Sequence, residues 1–300
     1  MELLDFPIHL TSMKQKVYIH IFSDFHYTAM GCDRRKLRRD IKRFKKSAED
    51  GPHQHFWLGG GDWFNGISAR DKRFDPSAVA PEFRKYTGDD LFGVECDRLV
   101  QEFSPIRQWG IGVGMGNHEE SQAKYNEFNG ARNVARQLDL PYLGYSATIW
   151  LGINLPNRGP QHVIMYWHHG LGAPATKAGK LNALKKLSDI VTNADVYVAG
   201  HGHEVMSFPE SSLEASRHGA KRIINRPVLL VNSGTYLKAY SVDASPQVAG
   251  KYNRGLDIAP DYAEKKGYRS SVIAHNGFSM RFAKGHDGNK FVELKQVDWR

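Results

Sequence analysis

Five short apolar segments each run into a polar residue of a kind that binds metal, and they do so in a fixed order between residues 24 and 203. Residues 17–22 are β-branched and aromatic and lead into Asp24-Phe25-His26. Residues 55–58 lead into Gly61-Asp62, 109–115 into Gly116-Asn117-His118-Glu119, 162–167 into His168-His169, and 194–199 into His201-Gly202-His203. Short runs of this composition read as buried strands. In an open α/β sheet, ligands collect beyond the carboxyl ends of the strands, so five such endings predict one rim. A boundary inside that span would cut the rim, which predicts a single domain over residues 1–300, with the motif core at about 17–235 and strands and loops of 236–300 completing it.

Between the strands, apolar residues recur at helical spacing over 33–50, 91–103, 130–138 and 181–191, the alternation expected of an α/β chain. After residue 203 the texture turns to strand and turn, with strands expected at 205–208, 227–232, 270–274 and 291–294. The Gly/Pro-bearing stretches 68–88 and 241–267 are too long for simple turns and are expected to flank a substrate mouth. No apolar run reaches the roughly 20 residues that span a bilayer, and Met1-Glu2-Leu3-Leu4-Asp5 lacks the basic start of a secretory leader. A cytoplasmic protein without membrane contact is expected. Cys32 and Cys96 have no redox or zinc-knuckle spacing and are expected to be free thiols in ordinary packing.

The net charge of +9 is unevenly placed. Residues 33–50 hold nine basic residues against four acids, more than half of the excess. Leu37, Ile41, Phe44 and Ala48 recur at helical spacing there, so Arg34, Arg35, Arg38, Arg39, Lys42, Arg43, Lys45 and Lys46 should line the outer side of an amphipathic helix. The segment reads either as a solvated face or as a surface that steers a polyanion such as nucleic acid.

Hydrolysis of a phosphate ester needs a nucleophile at neutral pH, neutralisation of the phosphoryl oxygens and a proton for the leaving alkoxide. Two metal ions about 4 Å apart do the first two by acidifying a bridging water and clamping the oxygens. Asp62 is the natural anionic bridge. Asp24 and His26 are two apart, as are His201 and His203, so at an extended strand end each pair points to one side and can grip one ion. The mixed imidazole, carboxylate and amide set suits Mn, Fe, Zn, Co or Ni better than Ca or Mg, which predicts two divalent transition-metal ions per chain, Mn2+ first. His168 and His169 both follow their strand and either could serve.

Taken together, Asp24-Phe25-His26, Gly61-Asp62, Gly116-Asn117-His118-Glu119, His168 and Gly200-His201-Gly202-His203 resemble the signature of the calcineurin-like metallophosphoesterase superfamily, over about residues 17–235. The resemblance implies a four-layer α/β/β/α sandwich with two mixed β-sheets and the metals at the strand ends. It implies Asp24, His26, Asp62 and His203 on one ion and Asp62, Asn117, His168 and His201 on the other. His168 is preferred over His169 as the first residue after the apolar run. His118, beside Asp62 and Asn117, resembles the histidine that contacts the phosphate and protonates the leaving group, a task suited to imidazole. Glu119 is expected to support the ligands from outside. His9, His53, His55, His162, His218, His275 and His286 are expected to be surface or structural.

The protein phosphatases of that superfamily carry arginines after the second motif and before Gly-Asn-His-Glu. This chain has Gly61-Asp62-Trp63-Phe64-Asn65-Gly66 and Met115-Gly116 instead, and Asn65 replaces the acid that orients the catalytic histidine. Bidentate Arg is the usual tool for a dianionic monoester, so its loss points to a phosphodiester of nucleic acid or a nucleotide. The alternatives are a phosphomonoesterase on a protein or small molecule, its clamp supplied by Arg70, Arg73 or Arg84, and a non-catalytic metal-binding module.

Overall fold

The run Val17–Phe22 does form a strand, buried at every residue but the half-buried Tyr18, and the other four apolar segments also carry strands in a computed structural model of the chain. Described are residues 1–67, 71, 75–86, 89–156, 160–172, 174–215, 221–239, 270, 272–284 and 290–298. The element order is β1 (Glu2–His9), β2 (Val17–Phe22), α1 (Arg34–Asp50), β3 (Gln54–Gly60), α2 (Asp89–Phe103), β4 (Gly110–Gly114), α3 (Asn117–Asn126), α4 (Gly130–Leu138) and β5 (Ser146–Asn154). It continues with β6 (Gln161–His168), α5 (Lys177–Lys185), α6 (Leu187–Ile190), β7 (Val196–Ala199), β8 (Val205–Ala215), β9 (Ile223–Thr235), β10 (Ala274–Lys284) and β11 (Lys290–Asp298).

The fold is mixed α/β. Hydrogen bonding runs the strands along one path, β1-β5-β6-β7-β9-β10-β2-β3-β4, with β8 on β9 and β11 on β10. β2, β3 and β4 are parallel, as are β6, β7 and β9, whereas β10 is antiparallel to β2. Among the described residues the two groups of strands are joined by two antiparallel pairs of β9 with β10, Ala274 with Thr235 and His275 with Gly234, so one hydrogen-bonded path runs through both where the resemblance implies two sheets.

Alternation along the strands sorts side chains into separate cores. Ile19, Ile21, Leu58 and Ile111 share a cluster with Ile149, Val163, Met165, Trp167, Val196 and Val198. Phe22, Trp57 and Val113 instead meet Leu37, Ile41 and Phe44 of α1, Leu99 and Phe103 of α2, and Val134 and Leu138 of α4. Tyr166, Tyr197 and Leu230 meet Leu184 and Leu187. Truncating one buried ring such as Phe44 to Ala costs about 3–5 kcal/mol, because the cavity cannot fully collapse.

α1 starts where the sequence predicts, with the Asp33 side chain accepting from Lys36 N at 2.9 Å as N-cap. Its inner face carries Leu37, Ile41 and Phe44, and also Asp40. Cys32 and Cys96 are buried free thiols pushed up to about 12 by burial. Among the described residues no helix is long and apolar enough to cross a membrane. The stretch 241–267 lies outside the described residues, as do 68–70, 72–74 and 87–88 of the other expected loop.

Candidate metal centre

The strand ends are held by backbone hydrogen bonds that lace one turn to the next. Asp24 N donates to Gly61 O at 2.9 Å, His26 N to Asp62 O at 3.1 Å, and Tyr236 N to Asp24 O at 3.1 Å. These turns are not extended. Positive φ angles occur at Asp24 (55°), His26 (46°), Asp62 (48°), His201 (59°) and His203 (49°), five of seven non-glycine cases among the described residues. Left-handed backbone costs such residues on the order of 1 kcal/mol or more each and persists where the surroundings enforce it. Asp24 and His26 therefore converge through sharp local kinks, and the expected alternation of an extended strand end is corrected.

Two groups of ligand atoms result, each within 4.8 Å across: Asp24, His26, Asp62 and His203, then Asp62, His169 and His201. Asp62 belongs to both. His26 Nε2 lies 3.2 Å from His203 Nε2 and 3.8 Å from Asp62 Oδ2, and His203 Nε2 lies 3.2 Å from Asp24 Oδ1. His169 Nε2 stands 3.2 Å from Asp62 Oδ2 and 3.3 Å from Asn117 Oδ1. Such approaches need an absent Cβ at Gly116, where an added methyl would collide with Asp62 Oδ1 and sit 2.6 Å from His169 Nε2.

The donors are oriented from outside. His169 Nδ1 donates to the Gly60 carbonyl at 2.9 Å, which turns the lone pair of Nε2 toward the Asp62 carboxylate and the Asn117 amide oxygen. Three acceptors then face one point, an arrangement that calls for positive charge there. In the metal-free protein a second proton supplies it: burial opposes the charge, yet Asp62 and Asp24 hold His169 up at about 10. A metal ion displacing that proton meets the same need, so the residues fit the group the resemblance implies. Burial likewise opposes ionisation of Asp62, and the His169, His118 and His26 imidazoles outweigh it, holding the carboxyl well below its usual range. His26 is held well below the usual imidazole value, by burial first and His118 next.

Glu119 sits behind the ligands. Its Oε2 accepts from Gly116 N at 2.6 Å and Asp62 N at 3.1 Å, and its Oε1 from Phe64 N at 2.9 Å. Asp24 is fully buried, takes two bonds from His201 N at 3.0 and 3.2 Å, and has Ser23 and Ser233 hydroxyls on Oδ2. The serines were not foreseen; the only signal in the sequence is that Ser23 adjoins Asp24.

His168 lies outside both groups. It is the last residue of β6 and shares the strand face of Tyr166, the rings 6.4 Å apart, where its Nδ1 accepts from Gly170 N at 2.9 Å. His169, one residue on, turns into the cluster. The odd-numbered Met165 and Trp167 already lie on the other strand face, so counting alternation through the strand end distinguishes the two histidines.

The structure brings His118 to the rim: its backbone N–H donates to Asp62 Oδ1 at 3.0 Å and its ring packs edge-on against His26 with centroids 4.4 Å apart. Arg84 Nε is bonded to the Val79 carbonyl at 2.9 Å, and Arg70 and Arg73 lie outside the described residues. The basic helix is partly neutralised. Arg34 pairs with Glu82, Lys36 with Asp40, Arg38 with Glu102 and Lys45 with Glu49.

No family profile matches the chain, and neither does any curated protein. Among solved structures the chain is similar to wild-type Vps29 complexed with Zn2+ from Entamoeba histolytica, at 12% identity and TM-score 0.38, with 93% of this chain and 98% of that chain covered. It is also similar to Chaetomium thermophilum Vps29, at 11% identity and TM-score 0.30, with 95% and 97% covered. At such scores the likeness decides neither family nor chemistry.

Proposed function

We propose that the chain is a dinuclear metal-dependent phosphoester hydrolase of the calcineurin-like type, and that its substrate is a phosphodiester of nucleic acid or a nucleotide. The proposal includes one domain over residues 1–300, the four-layer α/β/β/α arrangement and a cytoplasmic setting. Asp24, His26, Asp62 and His203 would hold one ion, and Asp62, Asn117, His169 and His201 the other, with Mn2+ the first candidate. Bound ions would supply a water-derived nucleophile at neutral pH and neutralise the phosphoryl oxygens. The carrying observation is that two ligand groups share the buried Asp62 while His118 stands beside them.

His118 would give its proton to the leaving alkoxide, as a general acid on the open side of the cluster. Among the described residues the Asp62 side chain meets the His26 and His169 imidazoles and the His118 backbone N–H, and no guanidinium. A diester carries one charge less than a monoester and makes a smaller demand for such a clamp. Along α1, Arg35, Arg39, Lys42, Arg43 and Lys46 have no acid partner among the recorded ion pairs of the described residues, which leaves a stripe for a polyanion.

Protein loaded with Mn2+ should bind close to two equivalents per chain and cleave bis-p-nitrophenyl phosphate faster than p-nitrophenyl phosphate. The reverse preference overturns the diester reading, and folded protein that takes up no transition metal overturns the hydrolase. Reversing Arg39, Lys42 and Arg43 to Glu should slow polymer cleavage and spare the small diester; equal loss on both removes the steering role.

A further inference from the structure

Glu95 is a buried acid in α2 that the chemistry above does not use. It is fully covered, and a single oxygen takes three hydrogen bonds: Oε1 accepts from Thr28 N and Thr28 Oγ1 at 3.0 Å each and from Asn65 N at 2.9 Å. Thr28 lies two residues beyond His26 and Asn65 three beyond Asp62, so one carboxyl ties together the two turns that carry three of the ligands. The other oxygen, Oε2, has no hydrogen-bond partner among the described residues. Buried polar atoms are paired in the great majority of cases, and an orphan in a fully covered acid marks a group retained for more than packing.

The continuation of this contact reaches His118. The carbonyl of Asn65 meets His118 Nδ1, and the next residue, Gly66, has φ +63° with no room for a side chain: a Cβ there would lie 2.6 Å from the His118 carbonyl oxygen. The Asn65-Gly66 turn is thus shaped around His118. A carbonyl only accepts, so Nδ1 carries a proton, and Nε2 is the nitrogen that would take up a second proton from solvent and pass that one to a leaving group.

We propose that Glu95 is a positioning residue for His118: by anchoring Asn65 it fixes the carbonyl that holds the Nδ1–H tautomer, in place of a side-chain acid at position 65. The inference rests on the hydrolase reading for its catalytic consequence but not for its structural one. Burial pushes Glu95 up to about 8, so a neutral acid with a carbonyl-like Oε1 fits three donors on that atom. Glu95→Gln mimics that form and should conserve the device, whereas Glu95→Ala removes it.

Long-range 15N NMR of metal-free protein, with His118 assigned through His118→Gln, reads the tautomer directly. Wild type and Glu95→Gln should show Nδ1–H, and Glu95→Ala a mixture. On bis-p-nitrophenyl phosphate with Mn2+, Glu95→Ala should lower kcat by about 10-fold, the lower end for loss of an outer supporting contact, with KM within about twofold. Glu95→Gln should stay within about threefold of wild type by the same scale. If Glu95→Ala does not fold, Glu95→Met keeps the length without the acceptor and is read in the same way. An Nε2–H tautomer in the wild type overturns the proposal without any variant, as does a folded Glu95→Ala or Glu95→Met with tautomer and kcat unchanged. Wild-type protein inactive on every ester while the tautomer shifts as stated sinks the hydrolase reading and leaves the positioning role standing.

Discussion

Two regions of this molecule bury histidines beside an aspartate, and their proton arithmetic is opposite. In the core under α1, Tyr236 hydroxyl donates to Asp40 Oδ2 at 3.0 Å, His275 Nδ1 meets that hydroxyl at 3.0 Å, His275 Nε2 meets His20 Nδ1 at 3.2 Å, and His20 Nε2 meets His55 Nδ1 at 3.1 Å. One tautomer per ring satisfies the whole chain, each N–H facing a lone pair. Lys36 balances Asp40 at 2.6 Å. At the candidate metal centre the lone pairs face one another instead, around Asp62, and the backbone is kinked at Asp24, His26, Asp62, His201 and His203. Buried histidines with matched donors and acceptors belong to the scaffold. Histidines whose acceptors converge are asking for a cation.

The sharpest break of that contrast is Asp62→Asn against Asp40→Asn. The former should lose metal and turnover together, by more than the roughly 100-fold expected of an outer-shell change, while Asp40→Asn keeps both metals; elemental analysis and bis-p-nitrophenyl phosphate assays read the pair. Next, His169→Ala should drop one equivalent of metal and His168→Ala none. Equal loss in both would restore the expectation that His168 ligates. Third, Asp40→Ala should cost about 3 kcal/mol in urea unfolding, because Lys36 and Tyr236 lose a buried partner, with metal content unchanged in the folded fraction.

The smallest effect is on pH. Burial holds His20 and His275 below the usual imidazole value and His55 down at about 4. The unfolded chain protonates these rings near pH 6.5, so the stability they contribute is present above that value and is lost as pH falls toward 4. Metal-free protein should melt lower at pH 5 than at pH 7.5, by roughly 2–4 °C for each kcal/mol lost, and His55→Phe should flatten the dependence. His169, held up at about 10, works in the opposite sense in both proteins, so a dependence as steep in His55→Phe as in the parent contradicts the assignment of a neutral His55.

Much of this was legible in the sequence where one local rule governs. β2 and α4 fall where composition and helical spacing put them, and Asp33 caps α1 because its side chain reaches Lys36 N. Asp24, His26, Asp62, His201 and His203 gather as the strand-end pattern requires. Other features depend on contacts distant in sequence. β1 pairs with β5 over eight residues, and neither was foreseen, because β1 is exposed along much of its length and lacks an apolar run. α3 begins at Asn117 inside the motif, since Gly116 at its N-cap and Glu119 favour a helix start that a reading for ligands overlooks. β10 starts at Ala274, where a strand was expected to end, because its partners are β2 and β11. In the sequence Asp40 is one of four acids on a basic segment; in the structure it is buried against Tyr236, nearly two hundred residues away.

The two-rung link between β9 and β10 gives the ligand geometry a mechanical side. Asp24, His26, Asp62 and Asn117 issue from the strand group β2 to β4, and His169, His201 and His203 from β6 and β7. Each ion would take ligands from both groups and so would rivet a seam where, among the described residues, direct pairing of β9 with β10 amounts to Thr235–Ala274 and Gly234–His275. Demetallation would slacken the strand ends along that seam, while the apolar cluster shared by the two groups and the pairing within each stay in place.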